Sequence, residues 1–460
     1  MPRSAASVFA DIAAFRGPAH QPAVIGRAVV LGGSVAGLLA ARILADHAES
    51  VVIVDRDGST AVDGARGVVP QGDQVHALLP GGRVQLDRWF PGFTDRAVAG
   101  GASRVSPAAR RSYLDGRRKV GGSQVDYLSA TRSFLEGEIR RHTMELPNVS
   151  AIAGRVTGLD FDDTAVTAVR YESVDGPRTV DAGFVIDATG RSSKLSDWLE
   201  QGGWDRPPMT RMTVNINYAT AAFRRPENVP EPILTVAVWG PRAGGDFGGA
   251  IFTPVEDDRF LVMFGGYGDC RPGNTTEDLI RRCREDLPPE FTQVVGNEVV
   301  SEVRTYRQAD SRRRDFAGLT RFPARLVAAG DAVASFNPIY GQGMSSAAMH
   351  ASALSLYLRS APDLATAATD FFALQKVVVD AAWSFSTVAD LARPSVPSEG
   401  HRTPRIASWL SDQIVSASVT DTTVARRFDD VTGMLAHPSS LGAPGTVLRA
   451  IRANRRTPRA

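Results

Sequence analysis

The sequence predicts an α/β fold: a parallel nucleotide-binding sheet, interrupted by an antiparallel sheet and followed by helices. Three observations predict it. A strand, glycine turn, helix, strand and acid follow one another over residues 27–57. Two further strand-to-turn units lie at 185–193 and 326–344. Between those two, strand-forming segments replace the helical spacing.

The first unit opens with Arg27-Ala28-Val29-Val30-Leu31, a short apolar run of the kind that forms a buried parallel strand. It enters Gly32-Gly33-Ser34-Val35-Ala36-Gly37, continues with helical spacing to Ala45, and returns as Val51-Val52-Ile53-Val54 ending at Asp55 and Arg56. The 23 residues from Gly32 to Asp55 carry the βαβ dinucleotide fingerprint. Gly32 permits the tight turn and Gly37 lets the helix approach the sheet. The helix N-terminus offers N–H groups and a positive dipole end to a pyrophosphate, and Asp55 can accept from adenosine ribose hydroxyls. Ser34 stands where a second glycine is common, and its hydroxyl can donate to a phosphate oxygen.

The second unit is Val185-Ile186-Asp187-Ala188-Thr189-Gly190-Arg191. The third is Leu326-Val327-Ala328-Ala329-Gly330-Asp331, followed by Asn337-Pro338-Ile339-Tyr340-Gly341-Gln342-Gly343-Met344 and an alanine-rich helix. A helix starting near Gln342 points its positive end at whatever precedes it, and Gly341 and Gly343 leave backbone N–H groups accessible.

With these three units in this order, residues 27–360 resemble the group A, aromatic-hydroxylase-like FAD-dependent monooxygenases, whose fold is a glutathione-reductase-like Rossmann FAD-binding domain with an inserted antiparallel β-sheet substrate domain. The resemblance implies non-covalent FAD, with Asp331 on the ribityl chain and Pro338 and Gly341 to Met344 along the isoalloxazine edge. It also implies Arg132, in Ser129-Ala130-Thr131-Arg132, at the FAD phosphates or ribose, and Val156 holding the adenine through its backbone. Thr189-Gly190 departs from the Asp-Gly common in that family, which puts the mode of nicotinamide binding in question. The Gly330-Asp331-Ala332 and Phe336 to Gly341 segments, with Arg66-Gly67-Val68-Val69-Pro70-Gln71, are similar to actinomycete flavin epoxidases of polyether antibiotic pathways.

The activity implied is epoxidation or hydroxylation through a C4a-hydroperoxyflavin, using O₂ and electrons from NAD(P)H or a separate flavin reductase. The cofactor supplies that chemistry, so no acid–base triad is required and no catalytic residue is assigned. His76 reads as structural. A flavin halogenase would require an early lysine and a WxWxIP element; the chain has no lysine before Lys119 and no such tryptophan pair. A reductase or dehydrogenase without oxygen insertion, and a non-catalytic FAD-binding module, remain alternatives.

Residues 213–218, 233–239, 249–253 and 259–264 read as strands. Trp239, Phe252, Met263, Phe264 and Tyr267 are candidate liners of a substrate pocket there, and few charges interrupt these strands, which favours an apolar, polyketide-like small molecule. Helices are expected at 364–391, 406–419 and 424–435. The expected organisation is an N-terminal extension (1–26), a discontinuous FAD-binding domain (27–204 and 305–360), a substrate-binding domain (205–304) and a C-terminal helical region (361–460). Its arginine-rich tail, Arg449 to Arg459, reads as a solvated terminus.

Composition is that of a globular enzyme: 460 residues, 43% apolar, 22% charged, formal net charge +2. A balance so near neutral gives no reason to expect nucleic acid. No run of 18 apolar residues suggests a membrane span. The two cysteines, Cys270 and Cys283, match no metal or redox spacing, and the first 27 residues hold no signal-peptide core, so a cytoplasmic location and no metal are expected.

Overall fold

The computed structural model describes residues 3–19, 24–57, 75, 77–226, 234–240, 246–391, 393, 396 and 405–456. The segment Arg66 to Gln71 and His76 lie outside them.

Five strands form a parallel sheet in the order Leu326–Ala328, Phe184–Asp187, Ile25–Leu31, Ala48–Asp55, Val149–Ala153. Val29, Val30, Leu31, Val185 and Val327 are fully buried, as strands covered on both faces require. Register matters for function. Leu31 pairs with Val54 and with Asp187, and Asp187 pairs with Ala328. All three nucleotide turns therefore leave the sheet at one carboxyl edge, where open α/β sheets bind ligands. Helix Val35–Ala45 runs from that edge and packs against helix Gln342–Arg359.

The second sheet has eight strands, in the order Ala334–Ser335, Val299–Arg314, Met209–Arg224, Arg259–Gly266, Gly248–Val255, Leu234–Trp239, Arg110–Leu114, Arg117–Arg118. It is antiparallel except where Leu234–Trp239 runs parallel to Arg110–Leu114. Val299–Arg314 has no counterpart in the sequence reading because its outward face is arginine-rich and hides the alternation. It pairs with Met209–Arg224 along most of its length, and the expected boundary between 304 and 305 falls inside it.

One face of this sheet is covered by helices Thr276–Glu285 and Pro289–Val295, through Phe252, Phe260, Phe264, Leu279 and Phe291. The other face turns toward the parallel sheet.

Helices occupy Thr369–Leu391, Arg405–Ala417 and Thr422–Thr432, close to expectation. The arginine-rich tail differs. Pro444–Arg456 is a helix whose Ala450 is buried with Ile414, Ala417 and Val424, and Arg449 is bonded to Asp421 at 2.8 Å. Ala450 and Ala453, three residues apart on one side of the helix, supply the apolar contact that the arginine count obscured. At the other end of the chain, Phe9 and Ile12 of helix Ala5–Ile12 are buried in the main core. No described helix is long and apolar enough to cross a membrane.

Candidate functional site: a cleft between the two sheets

The three turns close on one another through backbone. Gly32 has φ +94°, and a Cβ there would lie 2.7 Å from the Ala188 carbonyl oxygen. Gly330 has φ +61°, and a Cβ there would lie 2.5 Å from the Ala36 Cβ. Only glycine joins the first turn to the second and the third turn to the first helix at these spacings. Gly37 meets the carbonyl of Gly32, as the fingerprint requires.

Between this edge and the second sheet lies a cleft that opens to solvent. Ser34, Arg132, Gly330, Asp331, Pro338, Gly341, Gly343 and Met344 line one side of it, and Tyr218, Met263, Tyr306 and Gln308 line the other. Gly341 (φ +65°) caps helix Gln342–Arg359, whose N-terminus faces the cleft, and the space beside the Gly343 Cα is open. Gln342 is buried beneath, its Oε1 without a partner. Burial raises the Asp331 carboxyl above its usual range, opposed by Arg132 and Arg191.

A family model described as FAD binding domain matches residues 92–362, more than half of the chain. The chain belongs to the FAD binding domain family.

FAD is therefore the cofactor the family implies, and the residues present in this cleft fit it. The open backbone at Gly341 and Gly343, the orphaned Gln342 oxygen and the uncapped first turn of helix Val35–Ala45 are the features a flavin dinucleotide needs. The chain is also 29% identical to Protein Rv3254 of Mycobacterium tuberculosis, over 90% of this chain and 91% of that one. Among solved structures it is similar to PqsL of Pseudomonas aeruginosa, a probable FAD-dependent monooxygenase, with TM-score 0.61 and 21% identity over 80% of this chain and 96% of that one. It is similar to p-nitrophenol 4-monooxygenase PnpA of Pseudomonas putida, with TM-score 0.60 and 18% identity over 90% and 98%. The flavin-dependent brominase Bmp2 matches at TM-score 0.60 and 15% identity over 93% and 98%. These likenesses show a shared fold.

Several expected site residues sit elsewhere or act differently. The Ser34 hydroxyl lines the cleft, but it donates to Glu136 Oε2 at 2.8 Å and accepts from Arg132 at 3.2 Å, so its proton is committed within the protein. The cause is helix Arg132–Met144, which places Arg132 and Glu136 one turn apart on the side facing Ser34. Asp55 ends its strand beside the first turn and accepts from the Gly33 N–H at 2.7 Å and the Asp57 N–H at 3.1 Å. Arg56 is exposed. Val156 is half-buried in strand Arg155–Phe161, outside the cleft lining.

Of the five candidate substrate residues, only Met263 lines the cleft. Phe264 is the next residue on its strand and must face the opposite way. It stacks edge-on with Trp239, while Phe252 packs against Phe260 and Phe291 in the helix-covered core. Tyr267 is buried with its hydroxyl on Asp390 at 2.9 Å.

Other residues prove central. Asp187 is fully buried and accepts from the Thr189 N–H (2.9 Å), the Thr189 hydroxyl (2.6 Å) and the Ser193 hydroxyl (2.5 Å), which ties down the second turn. Burial raises its carboxyl above the usual range. His350 accepts the Gly330 N–H on Nδ1 at 3.0 Å, and burial pushes its imidazole down to about 3. A neutral ring is what that acceptor role needs. The third turn is held from behind by Arg314, donating to the Ala332 carbonyl at 2.7 Å, and by Gln375, donating to the Ala328 carbonyl at 2.8 Å. Tyr306 and Gln308 could have been found from their i, i+2 spacing; His350 carries no local signal beyond its place in an alanine-rich helix.

Proposed function

We propose that the protein is an FAD-dependent monooxygenase that epoxidises or hydroxylates a largely apolar, polyketide-like small molecule, with electrons from NAD(P)H or a separate flavin reductase. The observation that carries this reading is the shared cleft. The second sheet presents Tyr218, Met263 and Tyr306 directly across from Asp331, Pro338, Gly341 and Met344, so a substrate on that wall lies against the flavin edge. When bound, FAD supplies the redox and O₂ chemistry. The chain's own part is to bind it, to hold the third turn through His350, Arg314 and Gln375, and to exclude water with an aromatic wall. Tyr218 and Tyr306 stand 6.2 Å apart between ring centres, a surface on which a flat or polyene substrate can stack.

A halogenating activity has no support from lysine chemistry. Lys119 is bonded to Asp429 at 3.2 Å and lies over the Phe428 ring, outside the cleft lining, and neither Lys194 nor Lys376 reaches the cleft.

The test uses purified holoprotein with a panel of polyenes and aromatics under ¹⁸O₂. One labelled oxygen atom in the product, with the other reduced to water at the expense of two donor electrons, is the expected result. Equal turnover without O₂, yielding unlabelled product, would establish a dehydrogenase instead.

A further inference from the structure

We propose that Arg191, Arg211 and Arg312 form an anion site at the mouth of the cleft, and that it receives the phosphates of a nicotinamide dinucleotide. The proposal rests on the flavoenzyme reading above and adds to it how the electron donor is held.

The site follows from strand register. Arg211 pairs directly with Arg312 across the strands Met209–Arg224 and Val299–Arg314, so two guanidinium groups stand on one face side by side. Like charges directly opposite each other in a sheet destabilise it, and a sequence that keeps such a pair has a local conflict that a bound anion would relieve. The second turn adds a third cation. Arg191 lines the cleft, donates to the Ser335 hydroxyl at 2.9 Å and shares Asp310 with Arg312, which reaches both carboxylate oxygens at 3.1 Å.

Two guanidinium groups thus share one carboxylate, and a third, Arg211, stands opposite Arg312 on the neighbouring strand. Asp331 lines the same cleft and feels the positive charge of both Arg132 and Arg191. Arg211 is exposed, bonded to the Met209 sulfur at 3.2 Å, and has no acidic partner among the described residues. The Arg312 Nε is buried without a partner. Burial, together with the nearby Arg312 and Arg211, holds the Arg191 guanidinium below its ordinary range.

Phosphate is the anion this arrangement suits. Guanidinium groups fit phosphate oxygens in a two-pronged geometry, and several of them together favour a multiply charged ligand over a single carboxylate. Arg132, bonded to Ser34, belongs to the FAD phosphate end of the cleft, so the Arg191 group is left for a second ligand. A dinucleotide anchored there would lie beside the cleft that holds the flavin.

The experiment titrates FAD-loaded protein with NADP⁺ by calorimetry, in the parent and in Arg211→Gln, with inorganic pyrophosphate as a competitor. Arg211 is exposed, so the variant is expected to fold and to keep the parent's FAD content and visible spectrum. NADP⁺ should bind the parent, be displaced by pyrophosphate, and bind Arg211→Gln about tenfold more weakly, the scale of one lost charge-assisted contact. Absence of NADP⁺ binding, or equal affinity in the variant, overturns the proposal. A flavin reductase that supports ¹⁸O incorporation while NADP⁺ fails to bind would remove this site and leave the monooxygenase reading standing.

Discussion

Asp390 sets the orientation of the Asn337 side chain. The Asn337 Nδ2 donates to both Asp390 carboxylate oxygens, at 3.1 and 3.2 Å, which leaves its Oδ1 to accept from the Tyr218 hydroxyl at 3.1 Å and the Ile339 N–H at 3.2 Å. Asp390 also takes the Tyr340 hydroxyl at 2.7 Å and is paired with Arg393. It is fully buried at the end of helix Thr369–Leu391, beyond the residues the family model matches. The C-terminal region thereby holds the loop that leads to Gly341.

Asp390→Ala should remove these acceptors and leave Arg393 buried without its partner, a change that costs about 3–5 kcal/mol. We expect a lower thermal midpoint and weaker FAD binding together, read by unfolding scans and by flavin titration. Wild-type FAD affinity in a destabilised Asp390→Ala protein would show that the loop holds its position without the carboxylate.

His350 makes stability depend on acid. Its pKa falls from 6.5 to about 3 on folding, so the folded state takes up a proton less readily than the unfolded chain. The neutral ring's contribution is present above pH 6.5 and is lost progressively as pH falls toward 3, at up to about 1.4 kcal/mol per pH unit. His350→Asn retains an acceptor for the Gly330 N–H but does not titrate. Denaturant midpoints between pH 7 and pH 4 should therefore fall less steeply in this variant than in the parent; parallel slopes would contradict the assignment.

Ser34 separates a phosphate-facing position from an ordinary turn. Ser34→Gly should keep FAD, since Glu136 retains Arg132 nearby and the turn keeps its backbone room. Ser34→Val places a branched side chain in the cleft wall and removes the hydroxyl that lies between Glu136 and Arg132, and FAD should bind at least about tenfold more weakly. Fluorescence titration of the two apoproteins compares them directly, and equal affinities would remove Ser34 from the cofactor site.

Met263 and Phe252 should behave oppositely. Phe252→Ala opens a void against Phe260 and Phe291 and should cost about 3–5 kcal/mol with FAD affinity unchanged. Met263→Ala, at the cleft, should alter stability much less and widen the range of small molecules that perturb the bound flavin's absorbance. Thermal scans and difference spectra on both variants check this.

The amino-acid sequence alone determined the parallel sheet, its three turns and the residues on them: Gly32, Asp331, Pro338, Gly341 and Met344 were legible because nucleotide turns are local devices, written in consecutive residues with fixed backbone demands. It also carried the central strands of the second sheet, through their alternation. Tertiary structure decided the rest. Which side of a strand faces the cleft depends on what covers the other side, so Met263 and not Phe264 became a wall residue only once two helices claimed the opposite face. The fate of the Ser34 hydroxyl depended on a helix about a hundred residues away. Arg211 met Arg312, and Asp390 met Asn337, through pairing and packing across long stretches of chain. A hydrogen-bond partner or a neighbouring charge is fixed by distance in space, and one chain's spacing carries no record of that distance.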